Sequence, residues 1–186
     1  GDYVIIPNDV SLNPTTDVTM ECLIKQRSPS HNGRVIDKNA YQIRMQGSTE
    51  AENVVYFQVQ TDDGATNHTL TSSQIPFDTW THVKAVYEGG ANGKQELYIN
   101  GVLDANQLIS DTNDIAVSTD RPVTIGNGRS GIDSPFDGLI DEAKVIADGT
   151  TVGDWDFDEG QGDPGRVSFS FWLNGDTGAD YADRKA

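Results

Sequence analysis

The chain has little of what usually announces a function. Among its 186 residues there is one cysteine, Cys22, so no intramolecular disulfide can form. Three histidines, His31, His68 and His82, are dispersed without metal-ligand spacing. There is no Gly-rich phosphate loop. No apolar run reaches the ~18 residues of a membrane-spanning helix, so membrane insertion is not expected. Basic residues are scarce: 13 Lys and Arg face 29 Asp and Glu, for a net charge of −16. Such a surface repels nucleic-acid phosphates and anionic lipids, which argues against both as partners. It suits a cation-binding protein or one working in high salt, and plain solubility explains it equally well. No signal peptide is visible at Gly1-Asp2-Tyr3-Val4, and the chain reads as a mature protein or a piece of a longer one.

Long helical periodicity is missing too; short β-rich runs recur instead, separated by Gly, Asn, Asp and Pro clusters. Strands are expected near Tyr3–Pro7, Val18–Gln26, Arg34–Asp37, Tyr41–Gln46, Val54–Asp62, His68–Ser72, Thr81–Glu88, Gln95–Asn100, Val123–Gly126, Leu139–Ala147, Trp155–Asp158 and Val167–Asn174. Tyr41, Ile43 and Met45 alternate with Gln42, Arg44 and Gln46; Val55, Phe57 and Val59 with Tyr56, Gln58 and Gln60; Val83, Ala85 and Tyr87 with His82, Lys84 and Val86. One apolar and one wet face per strand is the signature of antiparallel sheets with a solvated side. The fold class is therefore all-β, an antiparallel two-sheet sandwich. Asn100-Gly101 suits a tight type I′ turn. Cys22, in phase with Val18, Met20 and Ile24, reads as a buried structural thiol. Leu108 to Asp120 reads as a loop, and residues 175–186 as a tail or linker.

Two segments put carboxylates next to core residues. In Phe136-Asp137-Gly138-Leu139-Ile140-Asp141-Glu142-Ala143-Lys144-Val145, strict alternation places Asp141 with Leu139, Ala143 and Val145 on the inward face. In Trp155-Asp156-Phe157-Asp158-Glu159-Gly160, Glu159 follows Trp155 and Phe157 on one face. A buried carboxylate must be hydrogen-bonded, paired or metal-bound. Calcium is the simplest candidate for neutralising both, and hydrogen bonds from turn amides are the alternative.

Three segments together resemble the laminin G-like and pentraxin-like branch of the concanavalin A-like lectin/glucanase superfamily. They are Gly1-Asp2-Tyr3-Val4-Ile5-Ile6-Pro7 with Ser11-Leu12-Asn13-Pro14; Thr79-Trp80-Thr81-His82-Val83 running on through Leu97-Tyr98-Ile99-Asn100-Gly101; and Phe136-Asp137-Gly138-Leu139-Ile140-Asp141-Glu142-Ala143. The likeness spans roughly residues 1–147 and implies a jelly roll with one concave sheet. It also implies a structural calcium held by Asp141, with Asp158 and Glu159 as candidates beside it. Trp155-Asp156-Phe157-Asp158-Glu159-Gly160 resembles a segment that opens the domain in relatives. It starts a second repeat, or it folds back to complete the sheets; the short spacing from Glu159 to Val167 favours the fold-back. The domain is accordingly drawn as 1–174, with 155–174 completing the sheets.

The outward residues Gln42, Arg44, Gln46, Tyr56, Gln58, Gln60, His82 and Lys84 are suited to sugars: amides and Arg bond hydroxyls in pairs, and Tyr56 can stack on a pyranose. Arg44, Tyr56, Gln58 and His82 are the expected ligand-binding set, with Lys84 helping Arg44 hold an acidic sugar. An ordinary solvated sheet face is the alternative. The paired-carboxylate strand "E-x-D-x-x-E" of glycosidases with this fold does not occur, so catalysis is not expected. The expected function is a non-catalytic, calcium-stabilised, lectin-like module that binds polysaccharide or glycan. It would belong to a larger secreted, cell-surface or virion protein. A structural adhesion or fibre domain that binds no sugar is the second reading.

Overall fold

Period-2 alternation reaches its cleanest form in β2 (Asp17–Gln26), where every second residue is buried, from Val18 through Met20, Cys22 and Ile24 to Gln26. A computed structural model describes residues 3–29, 31–118, 120–128 and 134–157. Its other strands are β1 (Val4–Ile6), β3 (Arg34–Asp37), β4 (Tyr41–Gln46), β5 (Val54–Thr61), β6 (Thr66–Gln74), β7 (Thr81–Glu88), β8 (Gly93–Ile99), β9 (Val102–Ile109), β10 (Val123–Ile125), β11 (Gly138–Ala147) and β12 (Thr150–Trp155). They form two antiparallel six-stranded sheets. Sheet I runs β1-β10-β3-β4-β5-β6 and sheet II runs β12-β11-β2-β7-β8-β9. This is the expected two-sheet sandwich.

The core lies between the sheets. Ile36, Tyr41, Ile43, Met45, Val55, Phe57 and Val59 of sheet I meet Val18, Met20, Cys22, Ile24, Val83, Ala85, Tyr87 and Leu97 of sheet II. Tyr41 keeps its hydroxyl satisfied by donating to the Leu12 carbonyl at 3.0 Å. Burial pushes the Cys22 thiol up to about 12, so it is an inert packing group. Asn100 and Gly101, at φ 52° and 78°, form the expected type I′ turn between β8 and β9.

On one side the sandwich is closed by side chains instead of a strand. Gln107 donates to the Thr69 carbonyl at 3.2 Å, Gln95 donates to the His68 carbonyl at 3.3 Å, and Asp104 accepts the Ser73 amide at 2.6 Å. Sheet II thereby occupies backbone groups along the outer edge of β6 that would otherwise invite another strand.

Four expectations are corrected. Strand β9 stands where no strand is expected, and its last residues, Leu108 and Ile109, fall in the expected loop, because Val102–Ile109 gains its order from pairing with β8 and not from clean alternation. Strand β12 begins five residues before the expected Trp155 start and ends there, in a hairpin with β11. The two-residue turn is Asp148-Gly149, at φ 45° and 77°. The third correction concerns Asp141. A β-bulge between Asp141 and Lys144 sets Asp141 opposite Leu23 and Lys144 opposite Glu21, so Glu142 and Ala143 together face Cys22. The bulge shifts the phase by one. Ala143 and Val145 are buried as expected, but Leu139 and Asp141 fall on the outer face. The fourth is His82, which lies on sheet II, whereas Arg44, Tyr56 and Gln58 lie on sheet I. The fold-back segment 158–174 and the tail 175–186 lie outside the described residues.

Candidate functional site

The outer face of sheet I carries two cross-strand rows of side chains. Register pairs Arg34 with Arg44, Arg44 with Tyr56 and Tyr56 with Thr71. The parallel row runs Thr124, Asp37, Gln42, Gln58 and Thr69. Of the expected set, Arg44, Tyr56 and Gln58 therefore meet on one surface.

The Arg44 guanidinium sits 3.9 Å from the centre of the Tyr56 ring, a cation–π stack. Its Nη1 donates to Asn32 Oδ1. Both partners are neutral, and among the described residues Arg44 forms no ion pair. Its neighbour Arg34 lies 3.9 Å from the Asp37 carboxylate. The stack changes the expected role of Tyr56: the guanidinium covers one ring face, so the phenol positions Arg44 there.

Beside this pair runs a chain of amides. Gln42 donates to Gln58 at 2.8 Å, Gln58 and Gln60 donate to Asn67 Oδ1 at 2.5 and 3.1 Å, and Asn39 donates to Gln60 at 3.3 Å. The outward positions of β4 and β5 hold no carboxylate, and among the described residues the strands contribute only Asp37 to this face, 3% exposed.

One margin of the face is walled. Thr124, Asp37 and Gln42 point outward yet are buried, and the chain after β10 packs against this margin at Thr124 and Arg34. Thr124 Oγ1 donates to the Asn127 carbonyl at 2.8 Å, and Arg34 N donates to the Ser134 carbonyl at 3.0 Å. Asn127 Oδ1 accepts the amides of Gly128 and Ser134 at 2.7 and 3.1 Å, pinning the two arms of this loop together. The other margin, at β5 and β6, is open.

His82 and Lys84 are not part of this surface. Strand β7 pairs with β2 and β8 in sheet II, so both side chains point from the opposite side of the sandwich. His82 Nε2 meets Glu21 Oε1 at 2.7 Å in a depression of about 240 Å³ lined by Glu21, His82, Glu142, Lys144, Asp154 and Asp156. Alternation separates inward from outward, but a sandwich has two outward faces. Asn32, Asn39 and Asn67 are the members of the sheet I site that sequence reasoning missed. They sit at turns and strand ends, where alternation says nothing.

The expected metal ligand Asp141 is half-buried. Its Oδ1 accepts the Glu142 amide at 2.8 Å and the Phe157 amide at 3.1 Å. Glu142 has φ 49°, so this carboxylate locks the strained residue of the bulge. No group of three or more His, Cys, Asp or Glu residues suited to a metal occurs among the described residues. Asp158 and Glu159 lie outside them.

The molecule is a two-sheet jelly roll of the lectin type with one polar face walled along a margin. The chain belongs to the concanavalin A-like lectin/glucanases superfamily, whose laminin G-type family model matches residues 1–154. A search of curated protein sequences found no significant match. Several solved structures share the fold. The native heptameric SAP-like pentraxin of Limulus polyphemus is 17% identical, covering 77% of this chain and 74% of that one, with a TM-score of 0.53. Domain 4 of AbnA, a GH43 extracellular arabinanase of Geobacillus stearothermophilus solved with arabinotriose, is 15% identical over 79% and 76%, with a TM-score of 0.51. A structure of botulinum neurotoxin type C, whose cell entry depends on two ganglioside molecules, is 15% identical with a TM-score of 0.56. The match covers 78% of this chain and 36% of that one. At such identities the likeness establishes the fold alone.

Proposed function

We propose that this chain is a non-catalytic carbohydrate-binding module and that its ligand lies across the outer face of sheet I. The observation that carries this reading is the Arg44–Tyr56 stack beside the Gln42–Gln58–Asn67 amide chain. It is a row of hydrogen-bonding groups held in place by one another and bounded by a wall. Sugars present alternating donors and acceptors, and pre-positioned amides and guanidinium groups bond them with little further loss of side-chain entropy. Two neighbours of the same fold, the arabinanase domain solved with arabinotriose and the neurotoxin dependent on gangliosides, support a glycan as the ligand class. The single strand carboxylate on this face does not make the two-carboxylate arrangement of a glycosidase, which supports binding without hydrolysis. Extracellular or surface placement, as part of a larger protein, goes with this reading.

Calcium belongs to the same proposal as a structural ion. Asp141 alone does not make a site. Its hydrogen bond to the Phe157 amide, however, ties it to the segment whose next two residues in sequence are Asp158 and Glu159, the other expected ligands.

A glycan array probed with and without calcium, followed by Arg44→Ala, tests the reading. Binding that is lost in the variant while the melting midpoint stays put is the expected result. Absence of glycan binding, or binding indifferent to Arg44, refutes it. The second reading, an adhesion domain without sugar affinity, has one observation in its favour. The amides of Gln42, Gln58, Gln60, Asn39 and Asn67 already bond each other and leave fewer groups for a ligand.

A further inference from the structure

We infer that the ligand of the sheet I face is anionic: a glycan bearing a carboxylate or sulfate, whose oxyanion is taken by the guanidinium of Arg44. The inference rests on the glycan-binding reading above and names its ligand class.

The protein carries a net charge of −16, and carboxylates outnumber cationic side chains 29 to 13. Some of the surface cations are held by acidic partners. Lys94 lies 3.4 Å from Glu88 and 3.2 Å from Glu96, Lys144 lies 3.3 Å from Asp154, and Arg121 lies 3.5 Å from Asp120. Arg44 has no such partner among the described residues, and neither do Lys25, Arg27 and Lys84; what sets Arg44 apart is that two side-chain contacts hold it in place. Its two contacts, the Asn32 side-chain carbonyl and the Tyr56 ring, are neutral, so they orient the guanidinium without cancelling its charge. An Arg stacked on an aromatic face presents its remaining N–H groups edge-on in a fixed plane. That geometry matches the paired oxygens of a carboxylate or sulfate.

Strand register also sets Arg34 of β3 directly across from Arg44. Like charges placed opposite each other on one face of a sheet are destabilising. Arg34 forms an ion pair with Asp37, and among the described residues Arg44 has no acidic partner. Lys84, expected beside Arg44, is carried by the fold to sheet II, and Arg34 takes that place. The −16 surface does not forbid the arrangement, because charges beyond about 10 Å are largely screened at about 0.1 M salt.

The test is calorimetric titration of the full 186-residue chain with matched ligands. These are oligogalacturonate, its fully methyl-esterified form, a sulfated galactan oligosaccharide and its desulfated form. At least one charged ligand is expected to bind tenfold or more tightly than its neutral counterpart and to weaken with added salt. Arg44→Gln should erase that difference, and Arg44→Lys should restore only part of it, since an ammonium keeps the charge but not the fork. Preference between the two charged ligands identifies the oxyanion. Equal binding of charged and neutral partners, with Arg44→Gln weakening both alike, overturns the anionic assignment and leaves glycan binding standing. Failure of all four, together with a blank glycan array, overturns both. Melting curves of each variant confirm that the fold is intact.

Discussion

Asp148 Oδ1 accepts the backbone amide of Thr16 at 2.9 Å, joining the β11–β12 turn to the start of β2 across 132 positions of sequence. The same carboxylate takes the amides of Thr15 and Asp17 at 2.8 and 2.9 Å and the hydroxyls of Thr15 and Thr16 at 3.0 and 3.2 Å. One side chain thus closes the end of sheet II where β11, β12 and β2 meet. Asp148→Ala should cost about 1–2 kcal/mol, since hydrogen bonds to a charged group are the stronger kind but these are exposed. Asp148→Asn should cost less, because it keeps one acceptor oxygen. Urea denaturation of the three proteins measures this, and an alanine variant as stable as the parent would dismiss the anchor.

The same contacts fix a pH dependence. Burial by itself would raise the Asp148 carboxyl, but the amides of Thr15, Asp17 and Thr16 outweigh it and hold the group at about 2 instead of the usual 3.8. Asp111 is held at about 2 by the Thr61 hydroxyl, the Asn113 amide and His68, in that order. Both folded values lie below the unfolded ones, so the unfolded chain binds more protons between them. The stability they contribute is complete above about pH 4 and drains away as pH falls toward about 2. The melting temperature should drop across that window, and Asp148→Asn should flatten part of the drop. An unchanged slope in the variant would show that the group does not titrate with folding.

Calcium is tested through Asp141. Asp141→Asn retains an acceptor for the Glu142 and Phe157 amides but removes a charge. In EDTA the variant should melt close to the parent. With calcium at about a hundredfold excess over its dissociation constant the parent should gain roughly 2.7 kcal/mol and the variant much less. A parent midpoint indifferent to EDTA counts against a structural ion.

The closed side of the sandwich depends on a fully buried amide. Gln95 donates to the His68 carbonyl and accepts from Gln107 at 2.6 Å. Gln95→Ala leaves both partners short and opens space in the interior, for an expected loss of about 2–3 kcal/mol. Asp104→Ala frees the Ser73 amide on the edge of β6. Hydrogen exchange at Ser73 should accelerate, and self-association at high concentration should increase. Exchange at the parent rate would show that Asp104 does not guard the edge.

Arg44 and Tyr56 should act as a unit in ligand binding. A double-mutant cycle with Arg44→Ala and Tyr56→Ala should show a coupling of about 0.5–2 kcal/mol, while Tyr56→Phe, which keeps the ring, should be nearly silent. Additive single effects would mean the stack does not position the guanidinium.

Much of this molecule is legible in its sequence because strand alternation and turn chemistry are local. Arg34–Asp37, Tyr41–Gln46 and Thr81–Glu88 are strands with the expected bounds, and Tyr41, Ile43, Met45, Val83, Ala85 and Tyr87 are buried as their alternation requires. Asn100-Gly101 turns as its residues require. Arg44, Tyr56 and Gln58 could be read as one set because adjacent hairpin strands carry them. Strand β9, with Val102, Leu103 and Leu108 exposed, escapes such reading because its order comes from a neighbour.

By itself the sequence determined the inward side chains of the strands that keep a regular period, the all-β class and the family, since each depends on patterns a few residues long. Tertiary structure alone decided which of two outward faces a polar residue joins. It parted His82 and Lys84 from Arg44 and set Arg34 beside it. It also turned Asp141 outward through a bulge opposite Cys22 and tied Asp148 to Thr15 and Thr16. These outcomes depend on hydrogen bonding between strands far apart in the chain, and a period of two residues carries no information about which strand will be the neighbour.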